Sequence, residues 1–433
     1  MNFVYGASIS ADQAKAFLPE LKHEIHQTLS GPLLDVGLVL AACDALLGRI
    51  QASLGDIYGF SEERFEAELD TMRIILSPSY LRTRLEHELS INDSLGERHL
   101  FPQSEAALHK MPERVADSYY GKRYAHYLAP LGVLLHLQSD IMAETPFYSV
   151  IDGLLTGNIN IINIHDAEEN PTVLLLQELV TIAPDLKRYV YAFDFSPDDI
   201  EAMDTLNEVA DAVVSGQGRK IGFAYITPRG MSRTKLETLA WGICESEQLR
   251  RGSCQGIYLD TESMDDIYAF CEAFIHILAD VSSRREQSLP PEVAARITGE
   301  RRGARLLTLF DKDRLFERGN CSLLAKGGDK LESSLMYRNC WVKGLPKERL
   351  ISALRPHKTN LHTAALLCSE QEYDEFAQTL VKAGVSRIRD GGAEGALYCG
   401  EPRDGDFPLR RYVRIVSVGA GAGRCTQRPY DWN

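Results

Sequence analysis

Between residues 131 and 281 the sequence alternates short apolar runs with amphipathic stretches, and this limits the fold more than any other feature. Runs at 131–136, 157–164, 189–193, 212–214, 223–226 and 256–259 have the length and β-branched content of buried strands. The stretches at 146–155, 171–182, 198–209, 232–244 and 265–281 have helical spacing. Such repetition predicts the α/β class, with parallel sheets and crossover helices. Further strands are expected at 337–342, 363–368 and 412–418. A helix over 372–383 should end at Gly384. Ligands of parallel sheets bind outside the carboxyl ends of the strands. A cleft is therefore expected near 138–143, 163–166 and 215–218.

The first third reads as helical. Ser10 with Gln13 forms a capping box, and Pro19 should end or kink the helix that follows. Leu34, Leu38, Ala41, Ala42 and Ile50 make a helical stripe. Another helix is expected at 61–69, a break at Ser77-Pro78-Ser79, and a polar helical stretch over 80–115. His23, His26, His87, His99 and His109 fall in this part and read as solvated helix surface. The Gly/Arg-rich stretch 299–305 reads as exposed and mobile. The resulting organisation is a helical region 1–120, a truncated nucleotide-binding-like α/β domain 121–220, a catalytic-like α/β domain 221–418 and a tail 419–433.

The chain has 433 residues, with 61 Asp+Glu against 47 Lys+Arg, a formal charge of −14. That disfavours a general nucleic-acid binder, which needs cations for the phosphates, and an anionic membrane surface. The apolar stretch 32–50 is interrupted by Asp35, Asp44 and Arg49, so no membrane span is expected. The start lacks the basic and apolar regions of a secretory signal. Nine scattered cysteines without a CxxC pair predict reduced thiols and a cytoplasmic location.

No P-loop, no GxGxxG after a strand, no HExxH and no GxSxG occurs, and no metal site is expected. Gly216 and Gly218 follow a strand, either near a phosphate or in a plain turn. Gly419–Gly423 reads as a flexible tail. Cys254 lies in a polar loop entering a strand and is expected to be exposed. Arg250 and Arg251 precede it, and positive charge lowers a thiol pKa. Cys254 is thus a candidate nucleophile, the alternative being an incidental thiol. Arg250 and Arg251 suit a phosphate, or simply a solvated loop.

Several motifs resemble the acyl-CoA reductases of the bacterial bioluminescence type, the LuxC family. They are Pro130-Leu-Gly-Val-Leu-Leu-His136, Pro146-Phe-Tyr-Ser149, Gly157-Asn-Ile-Asn160, Gln248, Ser253-Cys-Gln255, Ile257-Tyr258, Arg338-Asn-Cys-Trp-Val342, Asp404-Gly-Asp-Phe-Pro-Leu409 and Tyr412-Val-Arg414. They occur in order over roughly residues 120–418. The resemblance implies the aldehyde dehydrogenase architecture, with two Rossmann-like parallel-sheet domains. It also implies formation of an acyl-cysteine, its reduction by NADPH to an aldehyde, a homo-oligomer, and a partner that activates or carries the acyl group.

Against the family pattern, four features depart. The nucleophile's position falls on Arg251, and arginine stays protonated. The expected asparagine after the first strand falls on Ile141. A cofactor-contacting lysine falls on Asn163. Between 214 and 219 only Ser215 to Gly218 stand where the family has a glycine turn, a helix and a strand. His136, Ile141, Arg250 and Arg251 are the candidate substrate or anion residues; Asn163, Ser215, Gly216 and Gly218 are the candidate cofactor residues. Three readings follow: a family fold that acts on activated acyl groups, coenzyme A thioesters among them, with reduction altered or lost; a working NADPH-dependent reductase using Cys254; and an acyltransferase or non-catalytic partner of an acyl-activating enzyme.

Overall fold

The computed structural model describes residues 2–49, 69–70, 72–89, 98–101, 123–138, 146–164, 171–215, 220–245, 247–249, 252–285, 287, 289–307, 312–391, 400–402 and 405–420. Ile141, Gly216, Gly218, Arg250, Arg251, His109, the expected helix start at 61 and the end of the tail lie outside them, as do the side chains of His99 and Ser215. Two compact units divide the chain: 1–141 with 145–216 and 398–433, and 217–397 with 142–144.

The first unit opens with the hairpin β1 (Asn2–Val4) and β2 (Ala7–Ile9), then α1 (Ala11–Leu29). The capping box forms: Ser10 Oγ accepts from the Gln13 N–H at 3.2 Å, and Gln13 Oε1 accepts from the Ser10 N–H at 2.9 Å. Contrary to expectation, α1 runs through Pro19. An interior proline costs about 3 kcal/mol. Ala14, Leu18, Leu21 and Ile25 are buried against Val133, Leu135, Ile159 and Ile161, and each large apolar side chain buried returns about 1.5–3 kcal/mol. Burial therefore outweighs the lost bond. In α2 (Val36–Arg49) the buried face carries Val39, Leu40, Cys43 and Leu46, while Ala41 of the expected stripe is exposed. The chain breaks at Ser77, and α3 (Pro78–Leu89) starts there. Of the helix expected over 80–115, the described part ends at Leu89. Residues 98–101 form a strand, β3 (Arg98–Phe101), antiparallel to β4 (Arg123–Pro130). Its partner is remote in sequence, so local periodicity does not report it.

The alternating region follows as β5 (Val133–Gln138), α4 (Pro146–Leu155), β6 (Ile159–Ile164), α5 (Pro171–Ile182), β7 (Val190–Phe193), α6 (Ile200–Val209) and β8 (Ala212–Ser215). Each lies within two residues of its predicted bounds. The sheet order is β2-β1-β7-β6-β5-β8, with the last four strands parallel. Five residues, 216–220, lead from β8 to the next strand, which belongs to another sheet.

That strand opens the second unit: β9 (Ile221–Ile226), α7 (Arg233–Glu245), β10 (Cys254–Leu259), α8 (Met264–Ser283), α9 (Pro291–Leu307), β11 (Arg314–Arg318), β12 (Cys321–Lys326), β13 (Asn339–Gly344), α10 (Leu350–Leu354), β14 (Leu361–Leu367), α11 (Glu370–Ala383) and β15 (Arg387–Asp390). The sheet order is β11-β12-β13-β10-β9-β14-β15, parallel except for the β11–β12 hairpin. Alternation on β9 divides the core. Ala224 and Ile226 pack on one face with Ile243 and Phe274. Phe223 and Tyr225 pack on the other with Leu350 and Leu380. Residues 299–305, expected to be exposed and mobile, lie inside α9. Arg301 binds Asn339 Oδ1 through Nε and Nη2, at 3.0 and 2.6 Å, which ties this helix to β13. Gly384 ends α11 in the left-handed conformation, as predicted.

The chain then returns to the first unit. The strand β16 (Val413–Ala420) pairs antiparallel with β4 and completes the sheet β16-β4-β3. A buried charge cluster anchors the returning segment. Arg84 donates to Glu88 Oε1 at 2.8 Å and to Asp152 Oδ1 at 2.6 Å. Glu88 Oε2 accepts the Leu409 N–H at 2.9 Å.

Candidate functional site

In the second unit, a braced frame of described residues precedes β10. Glu247 and Gln248 are left-handed (φ 53° and 60°), and so are Met336, Tyr337 and Arg338 (φ 59°, 51° and 66°). Non-glycine residues adopt this conformation at a cost, and tertiary contacts hold it. The Glu247 carboxylate pairs with the buried Arg338 guanidinium. Arg338 Nη1 also donates to the Ser282 hydroxyl at 2.6 Å. Gln287 Nε2 donates to Glu247 Oε2 at 2.8 Å, and the Tyr337 N–H donates to the Glu247 carbonyl at 2.9 Å. Gln248 is buried and closes the frame: its Nε2 donates to the Cys254 carbonyl at 2.7 Å, and its Oε1 accepts from the Asn339 N–H at 3.1 Å.

At Gly252 the backbone is left-handed (φ 82°), and a Cβ there would lie 2.1 Å from His362 Nδ1. Only glycine suits both demands. Cys254, expected on an exposed loop, is instead the first residue of β10 and is 3% exposed. Its Sγ donates to the Gly256 carbonyl at 3.3 Å. The reason for the difference is the bulge between Cys254 and Gly256 in the pairing with β9, which leaves the thiol in the same core cluster as Cys244, Cys321 and Cys340. Burial raises the Cys340 and Cys321 thiols and pushes Cys244 up to about 12.

In the first unit, Asn163 stands near the carboxyl end of β6, yet both ends of its amide are taken by one residue. Nδ2 donates to the Phe195 carbonyl at 3.0 Å, and Oδ1 accepts from the Phe195 N–H at 3.0 Å. His136, expected as a substrate or anion residue, is 2% exposed on β5. Burial holds it down at about 4, so it is neutral at pH 7 and cannot bind an anion by charge. Its Nδ1 lies 3.0 Å from Ser149 Oγ and its Nε2 3.0 Å from Asn160 Oδ1. Ser149 Oγ lies 2.9 Å from the Tyr412 hydroxyl.

Sequence reasoning missed the Glu247–Arg338 brace and the Ser149–Tyr412 contact. Left-handed non-glycine residues leave no compositional sign. For the second contact a sign existed: His136 and Asn160 are polar residues in largely apolar strands, and such groups must find partners. Among the described residues no three His, Cys, Asp or Glu side chains are placed to hold a metal, and no helix is long and apolar enough to cross a membrane.

No curated protein matches the sequence. Solved structures do. Benzaldehyde dehydrogenase from Corynebacterium glutamicum, described as NAD-dependent, aligns at 10% identity and a TM-score of 0.61, over 96% of this chain and 91% of that one. Betaine aldehyde dehydrogenase from Staphylococcus aureus, a double mutant in complex with NAD+, gives 10% and 0.65 over 98% and 92%. The D778Y mutant of proline utilization A from Bradyrhizobium japonicum gives 13% and 0.64 over 96% of this chain, which spans only 46% of that longer one. At such identities the likeness establishes the fold alone, an aldehyde dehydrogenase-like α/β fold. The sequence profile described as acyl-CoA reductase (LuxC) matches residues 47–216 and 216–415. That match covers most of the sequence, and the chain belongs to the LuxC family of acyl-CoA reductases.

Proposed function

We propose that this protein acts on activated acyl groups, as thioesters of coenzyme A or of a carrier protein, and that the NADPH-dependent reduction of its family is altered or lost. The acyl class follows from membership of the family. The loss is carried by one observation: only residues 216–220 separate Ser215, the last residue of β8, from Ile221, the first of β9. A crossover to another parallel strand needs a dozen or more residues, and a dinucleotide's pyrophosphate sits at the start of such a helix. The short link after β8 supports a cofactor cleft altered from the family's, with the hydride step changed or lost. Asn163 supports the same reading, since its amide is engaged by Phe195. So does the burial of Cys254, together with Arg251 at the position of the family nucleophile. Arg250 and Arg251 then serve as an anchor for thioester phosphates. An acyl-activating enzyme or acyl carrier protein supplies the acyl group, and the protein works as a homo-oligomer.

Thermal shift measurements test this reading, because a ligand that binds only the folded state raises its stability. Acyl-CoA should raise Tm, while NADPH and NADP+ at millimolar concentration should leave it unchanged. A cofactor-dependent rise, or NADPH oxidation in the presence of acyl-CoA, overturns the loss of reduction. No response to acyl-CoA of any chain length overturns the acyl reading.

A further inference from the structure

Ser149, His136 and Asn160 form a hydrogen-bonded line whose direction can be assigned. Asn160 Nδ2 donates to the Asn158 carbonyl at 2.8 Å, so its oxygen end faces His136 Nε2. Nε2 must then carry the ring proton. That leaves Nδ1 as the acceptor for the Ser149 hydroxyl, 3.0 Å away. With its proton on this bond, Ser149 Oγ accepts from the Tyr412 hydroxyl at 2.9 Å. Gly153 makes room for the line, since a Cβ at that position would lie 1.9 Å from Asn160 Oδ1.

Exposure falls along the line. Ser149 is half-buried, His136 is 2% exposed and Asn160 fully buried. This is the order that a nucleophile, its base and the group orienting that base require. Ser149 stands in the first turn of α4, where the helix dipole favours a developing negative charge. His136 is neutral at pH 7 and free to take a proton, and the nearby Asp152 carboxylate favours the imidazolium that forms.

The geometry points to Ser149 as a nucleophile that takes an acyl group, with His136 as its general base and Asn160 as the residue positioning that base, in an enzyme that hydrolyses acyl thioesters. Its substrate class rests on the acyl function proposed above. In the first step a bond forms between Ser149 Oγ and the thioester carbonyl carbon, and the C–S bond breaks. The serine proton passes to His136 Nδ1 and then to the leaving thiolate, giving free thiol and an acyl-serine. Tyr412 donates to the carbonyl oxygen as it becomes negative. In the second step water attacks the ester, its proton goes to Nδ1, and the C–Oγ bond breaks. The proton then returns to Ser149 and a carboxylic acid leaves.

The full chain is treated with a fluorophosphonate, which phosphonylates activated serines, and mapped by mass spectrometry. In parallel, thiol release from acyl-CoA is followed with a chromogenic disulfide. One adduct is expected, on the peptide holding Ser149; it is absent from Ser149→Ala and retained in Cys254→Ser. His136→Gln should slow the labelling by about 10²-fold or more. Asn160→Asp, which puts a carboxylate against Nε2, should move the pH midpoint of labelling upward, a shift that a purely structural asparagine would not give. Labelling of Ser149 without thiol release keeps the nucleophile and overturns the thioester substrate. No labelling, or labelling that survives in Ser149→Ala, overturns the nucleophile, even where acyl-CoA still stabilises the protein and the acyl reading stands.

Discussion

Arg338 and Glu247 form a buried ion pair that joins two left-handed stretches of the second unit, 247–248 and 336–338. Arg338 is 1% exposed, so removing the Glu247 carboxylate takes an ion-pair partner from a buried guanidinium. Breaking such a pair from one side costs about 3–5 kcal/mol. Glu247→Leu should destabilise the fold by that amount in urea denaturation, and Glu247→Gln by less, because the amide oxygen still accepts from Arg338. Midpoints in both variants equal to that of the unsubstituted protein would show that the pair holds nothing.

Two glycines separate backbone strain from crowding. Gly252 and Gly319 both have positive φ, but a Cβ at Gly319 meets nothing within 4 Å, whereas at Gly252 it lies 2.1 Å from His362 Nδ1 and 2.7 Å from Thr363 Oγ1. Gly319→Ala should cost about 1–2 kcal/mol, the left-handed penalty. Gly252→Ala should cost clearly more, read as a larger drop in Tm. Equal losses would mean that the loop shifts freely.

The acid sensitivity of the first unit should depend on His136. Its folded value of about 4 lies below a histidine's ordinary 6.5, because burial disfavours the charged ring. The unfolded chain then takes up the proton first as pH falls. Stability from this group is complete above about pH 6.5 and is lost on the way down to about pH 4, in total on the order of 3 kcal/mol. His136→Gln should flatten the fall of Tm with pH across that window. An unchanged slope would assign the sensitivity to other groups.

Native-state alkylation checks the placement of Cys254. The thiol is 3% exposed, and the thiolate is the reactive form. Iodoacetamide at pH 8 should leave Cys254, Cys340, Cys244 and Cys321 unmodified in the folded protein and modify all four in denaturant. Rapid labelling of Cys254 in the native state would restore it as a candidate nucleophile.

Much of the fold was legible in the sequence. The bounds of α4 and α5 follow from Pro146 and Pro171, each at the first position of its helix, a place proline favours. The strand β6 follows from a stretch rich in β-branched residues, Ile159, Ile161, Ile162 and Ile164. The shortage of residues between Ser215 and Ile221 needed only counting. Other features were not legible, because remote partners set them. The continuation of α1 past Pro19 depends on strands β5 and β6. The strand character of 98–101 depends on β4, and the order in 299–305 on Asn339.

The candidate sites divide in the same way. Periodicity, capping and chain length are local or one-dimensional, and by themselves they determined the α/β class, most element bounds and the short link between β8 and β9. The inward position of Cys254, the neutral state of His136 and the line from Asn160 through His136 to Ser149 were decided only in the tertiary structure. Burial and hydrogen-bond direction depend on which residues distant in sequence come to lie within about 3 Å of each other, and no spacing along the chain encodes that.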